Sequence, residues 1–191
     1  MNSNRFLAVK PGAVALMALM AATRFHHFGT PFALPDASLA VFFFAGLWLG
    51  GRYLFALLLL EAGLIDYLAI TKLGVSDFCV SNAYGFLVGS YAAMWLGGRW
   101  CRKFTALTAV SATQQFAALW AAATLAFLIS NGSFYWLSGR YPEPSFGQYL
   151  ERAAMYYLPH LSSTLIYGVV IFGLVRAGKA LLAGKAARQA V

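Results

Sequence analysis

The 191 residues are 61% hydrophobic and only 10% charged, with a mean hydropathy of +0.68 and a formal net charge of +8. Such a composition lies far outside that of soluble domains and predicts an integral membrane protein. The basic residues stand singly between apolar runs instead of forming a stripe, which argues against a nucleic-acid-binding surface and makes them topology signals.

Against the roughly 20 residues needed to cross a bilayer, the apolar runs predict helices at about 11–24, 36–51, 53–71, 81–98, 105–130 and 149–176. The expected fold is a single membrane-embedded all-α domain over 1–191, a six-transmembrane-helix bundle, with five spans as the alternative because Gly50-Gly51-Arg52 joins the second and third runs so tightly. The first run follows Lys10-Pro11 without a convincing small-residue cleavage site and reads as a retained helix. Six spans put Arg5, Lys10, Arg52, Arg99, Arg102, Lys103, Arg176, Lys179, Lys185 and Arg188 on one side and Arg24, Lys72, Arg140 and Arg152 on the other. The positive-inside bias then makes both termini cytoplasmic. His26, His27, Asp77, Cys79, Glu143, Glu151 and Arg152 fall outside.

In chain order, the first polar connection is F-H-H-F-G-T-P-F-A-L-P-D (25–36). Adjacent histidines rarely point at one centre, so only one of His26 and His27 is expected to face inward. Glu61 and Asp66 lie inside the third span, where an ionisable group is costly unless paired. Asp66 stands level with the start of the sixth helix, and Arg152 is its expected partner, either as a lock between helices or as part of a ligand site.

Next comes D-F-C-V-S-N-A-Y-G (77–85). Cys79 and Cys101 flank the fourth helix, whose length of roughly 30 Å rules out an intrachain disulfide. Cys101, in R-W-C-R-K, is expected to be incidental. Cys79 reads equally as an inert small hydrophobe or as a thiolate stabilised at a helix entrance. No CxxC, HxxxH or HExxH accompanies it, so a dedicated zinc site is not expected. A lone thiolate with a nearby imidazole better suits a metal that arrives with most of its coordination shell filled.

The connection 131–147 carries Phe134, Tyr135, Trp136, Tyr141 and Phe146, which read as an interfacial belt or as the wall of an outer site shared with Pro31, Phe32 and Tyr84. Finally, G-L-V-R-A-G-K-A (173–180) copies the spacing of a phosphate-binding loop. It ends in Ala180 where Ser or Thr is required and closes a membrane helix, so no nucleotide site is expected.

With H-H-F-G-T-P-F after helix one, D-F-C-V-S-N-A-Y-G before helix four and E-R-A-A-M-Y-Y-L-P-H opening helix six, the whole chain resembles the BtuM family. These are solitary cobalamin-specific S-components of energy-coupling-factor (ECF) transporters in the bacterial inner membrane. The resemblance implies a six-helix bundle with an outward-facing cavity. It also implies that Cys79 ligates the cobalt of cobalamin, with His27, Asp66, Tyr84 and Arg152 lining or supporting the site. An ECF-type energising module would dock through small residues on helix one, here Ala18 and Ala22.

The function implied is uptake of vitamin B12. Two alternatives share the site: a corrinoid-processing enzyme that removes the upper ligand, with Cys79 as the catalytic group in decyanation of cyanocobalamin, and a haem carrier. A membrane thiol oxidoreductase would need a second outward cysteine, which this chain lacks.

Overall fold

The computed structural model describes residues 11–25, 34–104 and 106–189. Among them there is no strand. They form six α-helices: α1 Pro11–Arg24, α2 Ser38–Trp48, α3 Arg52–Leu73, α4 Leu87–Trp100, α5 Ala109–Leu137 and α6 Phe146–Gln189. Short 3-10 turns, Tyr84–Phe86 and Cys101–Lys103, flank α4. Three segments, Tyr53–Leu73, Ala109–Leu137 and Phe146–Lys185, are long and apolar enough to cross a membrane.

Local chemistry sets the helix ends. Gly74 closes α3 at φ 67°, its N–H returning to the Ala69 carbonyl, the left-handed cap that glycine adopts without a Cβ penalty. Thr108 caps α5, its hydroxyl accepting from the Ser111 N–H at 3.2 Å, which satisfies one of the orphan donors of the first turn. Several boundaries differ from the sequence expectation: α4 begins at Leu87 and not near 81, α5 at Ala109 and not near 105, and α2 is confined to Ser38–Trp48, but the largest changes are at the ends of α5 and α6. α5 runs through Asn131-Gly132-Ser133 to Leu137, so the polar connection shrinks to about 138–145. A single helical glycine costs only about 1 kcal/mol, less than the packing around it returns. α6 runs past 176 to Gln189 and tolerates Pro159 inside it. Its 44 residues span about 66 Å, roughly twice a bilayer's hydrocarbon core.

α2 is the axis of the packing. It touches α1, α3, α4 and α6, and Phe42, Phe43 and Phe44 are all fully buried. Phe42 stacks on Tyr91 of α4 at 4.2 Å, and Phe44 meets Phe172 of α6 edge-on at 4.8 Å, geometries that favour the ring quadrupoles. α2 and α4 approach at backbone distance. A Cβ on Gly98 would run into the Phe43 carbonyl, and one on Gly46 would run into the Trp95 carbonyl. The outer faces of α3 and α6 stay apolar, with Leu57, Leu60, Leu64, Leu158, Val169 and Leu174 all exposed, as helices facing lipid require.

Gly98→Ala is therefore expected to cost about 1–3 kcal/mol by overpacking, read as a lower unfolding midpoint in detergent. Gly63→Ala, whose Cβ would meet nothing within 4 Å, should be neutral or stabilising; equal losses at both positions would contradict the close α2–α4 approach.

Candidate functional site

α1, α3 and α5 end where α2, α4 and α6 begin, and all six helices contribute to one cavity there, of about 580 Å³. Segment 75–83, between α3 and the first 3-10 turn, adds Cys79 and Val80 to its lining. Asp66 and Tyr84 line it too, so three of the residues singled out in the sequence come together. Arg152 stands one turn before the lining residue Tyr156, its guanidinium 4.7 Å over the Tyr141 ring and 5.6 Å over that of Tyr156. His26, His27, Pro31 and Phe32 lie outside the described residues.

One wall of the cavity is a buried charge cluster. Arg24, at the last position of α1 and 3% exposed, grips Asp66 with two hydrogen bonds, Nε to Oδ1 at 2.9 Å and Nη2 to Oδ2 at 2.7 Å. Its Nη1 donates to the Tyr91 hydroxyl at 2.7 Å, to Ser38 Oγ at 2.9 Å and to Asp36 Oδ2 at 3.4 Å. The Tyr84 hydroxyl donates to Asp66 Oδ2 at 2.5 Å. Asp36 in turn accepts from the Ser38 N–H at 2.9 Å and ties down the start of α2. The expected Asp66–Arg152 pair is thus corrected to Asp66–Arg24. Arg24 closes α1 inside the bundle and meets the carboxylate with the planar fork that suits it, whereas Arg152 projects toward the rings of Tyr141 and Tyr156.

Cys79 lies in a turn five residues before the 3-10 turn at Tyr84, not at a helix entrance. The helix dipole therefore gives its thiolate no support. Partial burial and the Asp66 charge push the thiol above its ordinary value, and Arg140 pulls the other way. Arg140 sits 4.9 Å over the Phe78 ring, and Phe78 lies 5.7 Å from the Phe134 ring on α5. Of the aromatics in 131–147, Phe134 thus meets the cysteine's segment, while Cys79 itself is exposed. Cys101 is buried across the bundle, its thiol pushed up to about 11 by burial.

His160 also lines the cavity. Its ring packs edge-on against Phe127 at 5.1 Å, and its buried Nε2 has no hydrogen-bond partner among the described residues. A buried unsatisfied nitrogen calls for a partner from outside the chain. The one available signal was an ionisable group in the apolar run of α6, directly after Pro159. Arg24 carried a fainter one, a cation closing an apolar run. Glu61 has an unpartnered carboxylate oxygen on α3 but lies outside the lining. Among the described residues no group of three or more His, Cys, Asp or Glu side chains could hold a metal ion. Residues 173–180 lie within α6, so the phosphate-loop spacing has no strand–loop–helix context. No family model matches the chain, and no curated protein matches it.

Arg24→Gln and Asp66→Asn should each cost about 3–5 kcal/mol, because either leaves one buried charge uncompensated. The double variant should lose much less than the sum in a detergent-unfolding cycle. Arg152→Gln combined with Asp66→Asn should be additive; strong coupling there, with none between Arg24 and Asp66, would overturn the pairing.

Proposed function

We propose that this chain is a multi-pass protein of the bacterial inner membrane that takes up cobalamin as a BtuM-like S-component. In this reading the chain makes six spans with both termini cytoplasmic, and the cavity faces outward. The observation that carries it is a single sulfur donor, Cys79, in a cavity lined by all six helices whose two carboxylates are already engaged, Asp66 by Arg24 and Tyr84 and Asp36 by Arg24 and Ser38. One soft donor cannot hold a bare ion but completes a metal whose other ligands arrive in a macrocycle. The volume, about 580 Å³, falls among small-molecule sites. Cobalamin is bulkier, so its corrin face would enter while its amides and nucleotide loop stay at the mouth, beside segments 75–83 and 138–145.

The chemistry follows from the raised thiol. Cys79 waits protonated and gives up its proton when sulfur binds cobalt. With cyanocobalamin, the sulfur lone pair forms the S–Co bond as the Co–C bond breaks with its electron pair. Cyanide then carries the thiol proton away as hydrogen cyanide, and cobalt stays trivalent. Decyanation is therefore the second reading of the same step. A haem carrier is the third, favoured by the unpaired His160 nitrogen, since imidazole also ligates iron. Ala18 and Ala22 are both exposed on α1, which leaves them free to meet an energising module.

Mixing purified protein with cyanocobalamin should shift the corrinoid absorption spectrum. Cys79→Ser should keep the fold and lose the shift, because a hydroxyl stays protonated and is a hard, poor donor. Cys101→Ser should keep it. If both variants behave alike, cobalt ligation by Cys79 is wrong, and a haem spectrum with no response to corrinoid would replace the cargo.

Aquocobalamin adds a pH signature, because water leaves without taking the thiol proton. Between about pH 5 and 7, below the raised thiol value, coordination should strengthen by up to about tenfold per pH unit, measured by spectral titration. Cys79→Ser should show no such slope, and a wild-type titration flat across this range would contradict a protonated resting thiol.

A further inference from the structure

At the opposite end of the bundle, a second cavity of about 170 Å³ opens between α2, the 3-10 turn Cys101–Lys103, α5 and α6. Its polar side is Arg102, Arg176 and Lys179, and its apolar side includes Leu47, Trp48 and Phe172. None of the chain's six acidic residues lines it. Both guanidinium groups are fixed but not neutralised. Arg102 donates to the Gly46 carbonyl through Nε at 3.0 Å and Nη2 at 2.7 Å. Arg176 donates to the Thr108 carbonyl at 3.3 Å and the Ala106 carbonyl at 3.4 Å. These acceptors are neutral backbone carbonyls, which orient a guanidinium without cancelling its charge. Among the described residues, the ion pairs within 4.0 Å involve Arg24 at the other end, so three positive charges converge here without a counter-ion.

We infer that this pocket binds the phosphate group of an anionic phospholipid. The phosphate oxygens accept from the three basic side chains, and an acyl chain lies along Trp48 and Phe172. A free phosphate offers the same oxygens, but the apolar side favours the lipid. That side reaches the bundle's exterior, because the lining residues Trp48 and Leu107 are themselves exposed. Basic pockets between helices at a bilayer surface hold lipid headgroups in this way. The site is independent of the cavity around Cys79 and of what that cavity carries.

The test is lipid retention by the full-length protein in detergent, by native mass spectrometry and by unfolding midpoint. The probes are dioleoylphosphatidylglycerol, dioleoylphosphatidylcholine and inorganic phosphate. Phosphatidylglycerol should be retained and should raise the midpoint more than phosphatidylcholine of the same chains. Lys179 is exposed and donates no hydrogen bond among the described residues, so Lys179→Gln should leave the lipid-free midpoint unchanged while weakening retention by about fivefold. Lys185→Gln, outside the pocket, should weaken it much less. Equal losses in the two variants would reduce the effect to surface charge and overturn the site, as would equal retention of the two lipids. Inorganic phosphate that alone reproduced the shift and displaced the lipid would overturn the lipid assignment in favour of free phosphate.

Discussion

The Arg24–Asp66 pair is the constraint on which the rest of this bundle turns. Two charges withdrawn from water cost several kcal/mol each unless every lone pair and donor is used, and here they are heavily used. Asp66 accepts from Arg24 twice and from Tyr84, while Arg24 also donates to Asp36, Ser38 and Tyr91. The partners come from α1, the lead into α2, α3, α4 and the 3-10 turn before α4, so the pair fixes how the first four helices meet. It also forms a cavity wall, and the elements that fold the bundle are the ones that shape the site. Apolar packing alone would not impose this. Lipid tails are as apolar as leucine, so helix association in a bilayer leans on close packing and on polar contacts.

The close packing is supplied by α2. Only 11 residues long and almost wholly buried, it lets α4 come to backbone distance at Gly46 and Gly98 and fills the remaining space with three consecutive phenylalanines. Its first residue, Ser38, belongs to the charge cluster, and near its other end the Gly46 carbonyl holds Arg102. One short helix thereby links the cavity at one end to the basic pocket at the other. The two ends differ chemically. The cavity end mixes acids, hydroxyls and a thiol around one engaged arginine, whereas the pocket end has cations and no acid.

Helix positions were legible to the extent that they depend on apolar runs. α1 matches its predicted bounds of 11–24, and α3 lies within two residues of 53–71. The start of α4 and the ends of α5 and α6 were not legible. Asn131-Gly132-Ser133 and Pro159 carry turn chemistry that tertiary packing overrides, and Ala-rich sequence beyond 176 extends a helix that no longer needs lipid. At the site, burial cost marked Asp66 as paired but could not say with what. Which guanidinium arrives depends on which helices are neighbours, a property of the fold and not of spacing. Cys79 was legible as a cysteine set apart from Cys101, and it does line the cavity, but its environment was not legible. The helix dipole expected to favour a thiolate is displaced by five residues of turn, and the dominant influences, burial and Asp66, act the other way.

That reversal bears on what the cysteine can do. Cys79 is exposed, and with a depressed value it would be anionic at rest, open to oxidation and to stray soft metals. A raised thiol at the mouth of a cavity resists both, because its proton must be displaced before sulfur can bind anything. A trivalent metal already seated in a macrocycle can displace it, since its charge makes the thiolate the favoured form on contact. Fit then precedes coordination. On the proposed function, the aromatic and polar walls would decide what approaches, and the sulfur would engage only a centre that those walls had brought within reach. The unpaired His160 nitrogen lies in the same lining and adds a second group whose hydrogen-bonding capacity is satisfied only by an occupant. Under the cobalamin assignment, selectivity rests on this protonated thiol and open imidazole together, and the Arg24–Asp66 pair keeps the nearest carboxylate from competing for the metal.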